Sequence, residues 1–301
     1  MPLAHALVAR LAELEDVRIL FVKGPTADAQ GARPPRPSSD VDVLCEPGSM
    51  ERLGDALEAA GWRRRAVVSV MRLEHAAKYL FDHSAHYIHS EWPCDIDVHF
   101  NFPGFLAPAD VVFETLWKRR SIIHVAGMPV VCADILGQAM IVGLHALRDP
   151  DDTLSQADLE HLTHMLKQMS PTRLAEISCL AADTGCSETL SPLLEHSGAR
   201  VLGSPWRDSD GLRRWHVRTE SKGIYTTSWL IEMRHTPWWR TPPLIWHALF
   251  LPREELLNQH TGTTPLGWRG VVRLQATRWW RALRRLPRSI RAARQIEGDF
   301  L

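Results

Sequence analysis

The chain has 301 residues, of which 45% are hydrophobic, and 35 basic side chains balance 35 acidic ones. This is enough apolar material for one large or two smaller domains, and zero net charge gives no reason to expect a polyanionic partner for the protein as a whole. The five cysteines form no CxxC pair, which excludes a disulfide framework or zinc ribbon and points to a reducing compartment. The N-terminus lacks the apolar core of a signal peptide, and no run of about 18 uncharged apolar residues exists, so the expected setting is cytoplasmic, without a membrane span.

Residues 3–15 carry apolar side chains at helical spacing. The run Val17 to Val22 (VRILFV) reads as a strand or the buried end of a helix, and Lys23-Gly24-Pro25 breaks it. Residues 31–39 (GARPPRPSS) read as an exposed loop, and Asp40 to Cys45 (DVDVLC) alternates as a strand does. Ser49 is placed to cap a helix from Met50 to Ala60, with Gly61 as its C-terminal stop. Strand candidates follow at Ala66 to Arg72, His86 to Ser90 and Pro93 to Asn101. After a loop, helices are predicted over 134–147, 155–169, 171–183 and 187–196, with no strand beyond them. A boundary is placed near residue 130, between an α/β part (1–130) and a mainly helical part (131–301).

The chemistry concentrates in two strands. Asp40 and Asp42 must share one face of theirs, because strand side chains alternate. Two adjacent carboxylates repel unless a cation joins them, and Mg²⁺ favours such oxygen ligands together with phosphate. Asp95-Ile96-Asp97-Val98-His99 repeats the pattern, so either Asp95 or Asp97 completes a three-carboxylate cluster if the strands are neighbours. A phosphatase-type aspartate would end a long apolar strand, and Arg36-Pro37-Ser38-Ser39 before Asp40 cannot form one.

Lys23-Gly24, a loop with Arg36, the strand Ser39-Asp40-Val41-Asp42-Val43-Leu44 and the later Ile96-Asp97-Val98-His99 together resemble the uncharacterised nucleotidyltransferase family of the DNA polymerase β-like superfamily. The resemblance implies an α+β nucleotidyltransferase fold, with a small mixed sheet followed by a mainly helical C-terminal part. It implies that Asp40, Asp42 and Asp97 are catalytic and hold Mg²⁺ or Mn²⁺, with Asp97 a ligand or the general base. Lys23, Gly24, Arg36, Ser39 and His99 would bind the nucleoside triphosphate, ATP being the expected one. His145 and Asp158 lie on helices that resemble those of the family. One departure is that Lys23-Gly24-Pro25 stands where the superfamily has a Gly-Ser turn, with Ser38-Ser39 directly before Asp40. The acceptor stays open among a small molecule, a peptide or protein, and an RNA end.

His83, His86 and His89 form no metal-binding spacing and read as surface or loop residues. Nine of the twelve tryptophans lie at or after Trp206, and Arg269 to Arg294 holds nine arginines and no acidic residue. Nucleic acid or an acidic membrane surface could meet such a segment. The favoured reading is an amphipathic helix that packs its Trp/Leu stripe on the core. The alternatives to an enzyme are a non-catalytic binding or regulatory protein of the same fold, and a nucleic-acid-binding protein using the basic tail.

Overall fold

A computed structural model describes residues 1–65, 83–221, 224–251, 253, 256 and 267–298. The chain divides into two compact units, residues 1–64 with 83–212 and residues 65–82 with 213–301. The boundary expected near residue 130 falls inside the first unit, within its last described strand. The strand expected over Ala66 to Arg72 lies outside the described residues.

The first unit carries a mixed sheet of seven strands: β1 (Ile19–Val22), β2 (Asp40–Cys45), β3 (Arg63–Arg64), β4 (Ser84–Ile88), β5 (Asp95–His99), β6 (Ser121–Val125) and β7 (Met128–Cys132). Their order across the sheet is β3-β4-β5-β2-β1-β7-β6. The β2/β5 and β1/β7 pairs are parallel, and the others antiparallel. The mixed sheet and the helical C-terminal part match the predicted fold class. The β6–β7 hairpin was not expected. It turns at Ala126 and Gly127, both at positive φ (51° and 79°), without the Asn-Gly or Asp-Gly pair that usually marks such a turn.

Alternation gives the sheet two unlike faces. Ile19, Phe21, Val41, Val43, Cys45, Ile96 and Val98 point to one side. There they pack with Ala4, Val8 and Ala12 of helix α1 (Pro2–Leu14) and with Leu53 and Leu57 of α3 (Met50–Ala59). Each such aliphatic side chain contributes about 1.5–3 kcal/mol by leaving water. The opposite face carries Leu20, Val22 and Leu44, and also Asp42 and His99. Helix α2 (Gly24–Ala29) follows β1 directly, and α4 (Ala109–Lys118) precedes β6.

Helix α5 (Ile135–Leu147) is buried along nearly its whole length and packs on α2 and on α6 (Thr153–Lys167). The Asp134 side chain caps α5 by accepting from Gly137 N at 2.9 Å, and Asp152 caps α6 through Leu154 N and Ser155 N. Helices α7 (Pro171–Asp183) and α8 (Ser191–Ser197) complete this part.

Helix α9 (Ser209–Ser221) runs across the division between the units. The second unit continues with α10 (Ile224–His235), α11 (Thr241–Leu249) and α12 (Trp268–Gly298). Val217, Trp229, Ile231 and Ala293 form its small core. Here the reading of the tail changes. Helix α12 buries its small residues Ser289, Ala292 and Ala293, while most of its Trp/Leu stripe remains exposed to solvent.

Candidate active site

The register of β2 against β5 builds the site. Asp42 pairs with Asp97 and Asp40 with Asp95, on parallel neighbouring strands. Side chains of paired residues point to the same face, so alternation and register together place Asp42 beside Asp97. Asp42, Asp97 and His99 each offer one ligand atom, and these atoms lie within 4.8 Å of one another. Asp40 shares the face but stands outside this group, half-buried at the start of β2 opposite Asp95. Two carboxylates and one imidazole at this separation suit a divalent ion, Mn²⁺ accepting the nitrogen more readily than Mg²⁺.

Asp42 is the most constrained of these side chains. Its Oδ1 lies 2.7 Å from Lys23 Nζ and accepts a hydrogen bond from His99 Nε2 at 2.9 Å. Burial pushes its pKa up, but the Lys23 charge and the His99 hydrogen bond outweigh burial and hold it well below the usual carboxylate range. Burial lowers the pKa of His99, against the pull of Asp42, so a neutral ring donates from Nε2. Its Nδ1 is buried and has no hydrogen-bond partner among the described residues. Asp40 takes the opposite direction. Burial first, then the Asp42 charge, raise its pKa to about 6, although Lys23 opposes them.

Lys23 reaches Asp42 through an unusual backbone. Its φ is +55° and that of Gly24 is +48°. A left-handed lysine costs about 1–3 kcal/mol and persists only where its surroundings fix it. Here Lys23 N donates to Gln138 Oε1 at 2.8 Å, and Lys23 O accepts from Thr26 Oγ1 at 2.7 Å. Gln138 of α5 also donates to Phe21 O at 3.1 Å and to Thr26 Oγ1 at 3.0 Å. The Lys23 ammonium lies 5.7 Å from the centre of the Phe102 ring, with Arg148 at 5.5 Å from the same ring.

Arg36, expected to meet phosphate, is engaged within the protein. Its guanidinium forms a two-pronged pair with the buried Asp158 of α6, at 2.5 and 2.7 Å. Arg33 binds Asp28, the carbonyl of Arg36 and, at 2.8 Å, Ser38 Oγ. The Gly/Pro/Ser-rich loop before Asp40 is therefore tied down at several points. Ser39 is exposed beside Asp40, and its carbonyl accepts from Asp95 N at 3.3 Å.

His86 was read as a surface or loop residue, and the sheet brings it beside Asp97. It sits on β4 opposite Asp97, and its Nδ1 lies 2.5 Å from Asp97 Oδ1. Ser84 and His86 alternate with Ala85 and Tyr87, a pattern that could have revealed its strand face. His145 is open to solvent and accepts a hydrogen bond from Arg148.

A mixed α+β sheet with in-register aspartates on two parallel strands beside a Lys-Gly turn has the features of a nucleotidyltransferase fold. The chain belongs to the uncharacterised nucleotidyltransferase family, whose model matches residues 4–200. It is accordingly a transferase with a role in nucleotidyl transfer. No curated protein matches the chain.

Proposed function

We propose that this protein transfers a nucleotidyl group from a nucleoside triphosphate, ATP being the expected donor, to an acceptor hydroxyl or phosphate, with release of pyrophosphate. The observation that carries the reading is the convergence of Asp42, Asp97 and His99 within 4.8 Å on paired strands. Asp40, Asp42 and Asp97 would hold Mg²⁺ or Mn²⁺, which when bound neutralises phosphate charge and stabilises the attacking and leaving oxygens.

The chain's own groups divide the remaining work. His99 orients the Asp42 carboxylate. Asp97, backed by His86, accepts the proton of the acceptor hydroxyl. Lys23 meets phosphate charge, and Gly24 gives the triphosphate close access to the backbone. Ser39 adds a hydroxyl at the mouth of the site. Arg36 acts on the nucleotide indirectly, by fixing the loop that leads into Asp40. Residues 1–130 then carry the reacting groups, and the helices after them hold those groups in place.

A cytoplasmic setting suits both the triphosphate and the five cysteines, all of which are free thiols. Among the described residues no helix is long and apolar enough to cross a membrane.

A second reading, a non-catalytic protein of the same fold, draws on the Lys23 ammonium, which already neutralises Asp42. One experiment separates the two. The protein is incubated with Mg²⁺ or Mn²⁺, each α-labelled nucleoside triphosphate and cell extract, beside an Asp40→Ala/Asp42→Ala variant. Metal-dependent label transfer that the variant loses supports the enzyme, whereas absence of nucleotide binding with either metal overturns it.

A further inference from the structure

Helix α12 presents an apolar stripe to solvent. Trp268, Val272, Trp279, Leu283 and Ile290 follow one another at steps of four, seven, four and seven residues. At about 100° per residue these positions fall within about 60° of one another on one side of the helix. Trp268 is 72% and Leu283 63% exposed, and the other three are exposed as well.

Away from the stripe, Ser289, Ala292 and Ala293 are buried and Arg278 hydrogen-bonds the last carbonyls of α11; at the stripe's edge Gln275, and within it Trp279 Nε1, donate to Leu249 O. The stripe is not isolated. The Phe250 ring lies 5.5 Å from that of Trp279 and 4.4 Å from that of Trp246, which is itself exposed. The apolar surface of α11 therefore continues into that of α12. An exposed patch of this kind marks an interaction site on a folded protein.

The charge around the stripe selects the partner. Arg269, Arg273, Arg284 and Arg291 border it on one side, and from Arg269 to Arg294 there is no acidic residue. The Arg284 guanidinium lies over the Trp280 ring at 4.6 Å. A second copy of the chain would bring like charges together with no acidic complement. A nucleic acid would engage the arginines but leave Val272, Leu283 and Ile290 in water. An anionic lipid surface satisfies both features, since aliphatic and indole side chains enter the acyl boundary while arginines meet the headgroups.

We propose that the α11–α12 surface docks this protein onto anionic membranes, lying in the interface without spanning it. This proposal stands apart from the nucleotidyl-transfer reading. The test uses the full chain with vesicles of phosphatidylcholine alone or with about one-third phosphatidylglycerol, read by co-sedimentation and tryptophan fluorescence. Pelleting and a blue shift are expected with the anionic vesicles only.

A Leu283→Glu/Ile290→Glu variant should bind at least about tenfold more weakly, with its thermal unfolding unchanged because both side chains are exposed. Should that variant unfold, Arg273→Gln/Arg284→Gln retains the stripe and should also bind at least about tenfold more weakly. Three outcomes overturn the proposal: no binding to anionic vesicles, equal binding to neutral ones, or tight binding of single-stranded RNA while vesicles are ignored. A dimer abolished by Leu283→Glu, again without vesicle binding, would overturn it in favour of a second copy.

Discussion

Lys23 Nζ lies 2.7 Å from Asp42 Oδ1, and both side chains are largely removed from water. A lysine held at positive φ thus neutralises the most buried carboxylate of the site. Lys23→Met should leave Asp42 with His99 alone and cost about 2–4 kcal/mol, because a buried charge loses its partner. The pH sign follows from the lowered Asp42 pKa. Its stabilising contribution is complete above the unfolded value near 4 and is lost as pH falls toward the folded pKa. In Lys23→Met, acid unfolding should begin at higher pH. Urea unfolding at a series of pH values measures both effects.

Asp40 carries the opposite linkage. Its pKa is raised to about 6, so the folded protein holds a proton there that the unfolded chain releases at lower pH. Stability falls as pH rises between about 4 and 6 and stays lower above that. Asp40→Asn should raise stability at pH 7.5 by about 1–2 kcal/mol and leave it nearly unchanged at pH 4. The same substitution should lower nucleotidyl transfer sharply. Thermal unfolding at the two pH values, beside the transfer assay, checks the trade.

His86 meets Asp97 at 2.5 Å from a neighbouring strand. Removing an outer partner of a metal-binding or basic carboxylate typically weakens metal affinity or activity by about 10–100-fold. His86→Ala should show that loss in Mn²⁺ titration and in turnover, with little change in thermal stability because the imidazole is partly open to solvent. Unchanged affinity and turnover would remove His86 from the site.

Arg36 and Asp158 form a bidentate pair in which the carboxylate is buried. Asp158→Leu or Arg36→Met alone should destabilise by about 3 kcal/mol, whereas Arg36→Met/Asp158→Leu should recover much of the loss. A double-mutant cycle in urea reads the coupling. Arg36→Lys should behave like a loss, since an ammonium cannot reproduce the fork.

The contrast between Asp42 and His86 shows which parts of the site were legible in the sequence. Alternation alone puts Asp40 and Asp42 on one face, and the recurrence at Asp95 to His99 supplies the second strand. Which aspartate faces Asp42 depends on register, which no local pattern records; the observed pairing selects Asp97. His86 was obscured because its strand was read two residues too late, as 86–90 in place of Ser84–Ile88. The helix predicted over 171–183 is found at Pro171–Asp183, where Ser170 Oγ accepts from Arg173 N. The Arg36–Asp158 pair was not legible because its members lie 122 residues apart. The β6–β7 hairpin escaped notice because Ala126-Gly127 is a weak turn signal.

Gln138 and Asp158 have a consequence for any shortened version of this protein. One fixes the strained turn that carries Lys23, and the other fixes the loop that enters Asp40. Both come from helices that begin after residue 130. A fragment ending there would retain every aspartate of the site and lose the two clamps that aim its cation and its entry loop. The smallest piece worth assaying is therefore the stretch through residue 200 that the family model covers.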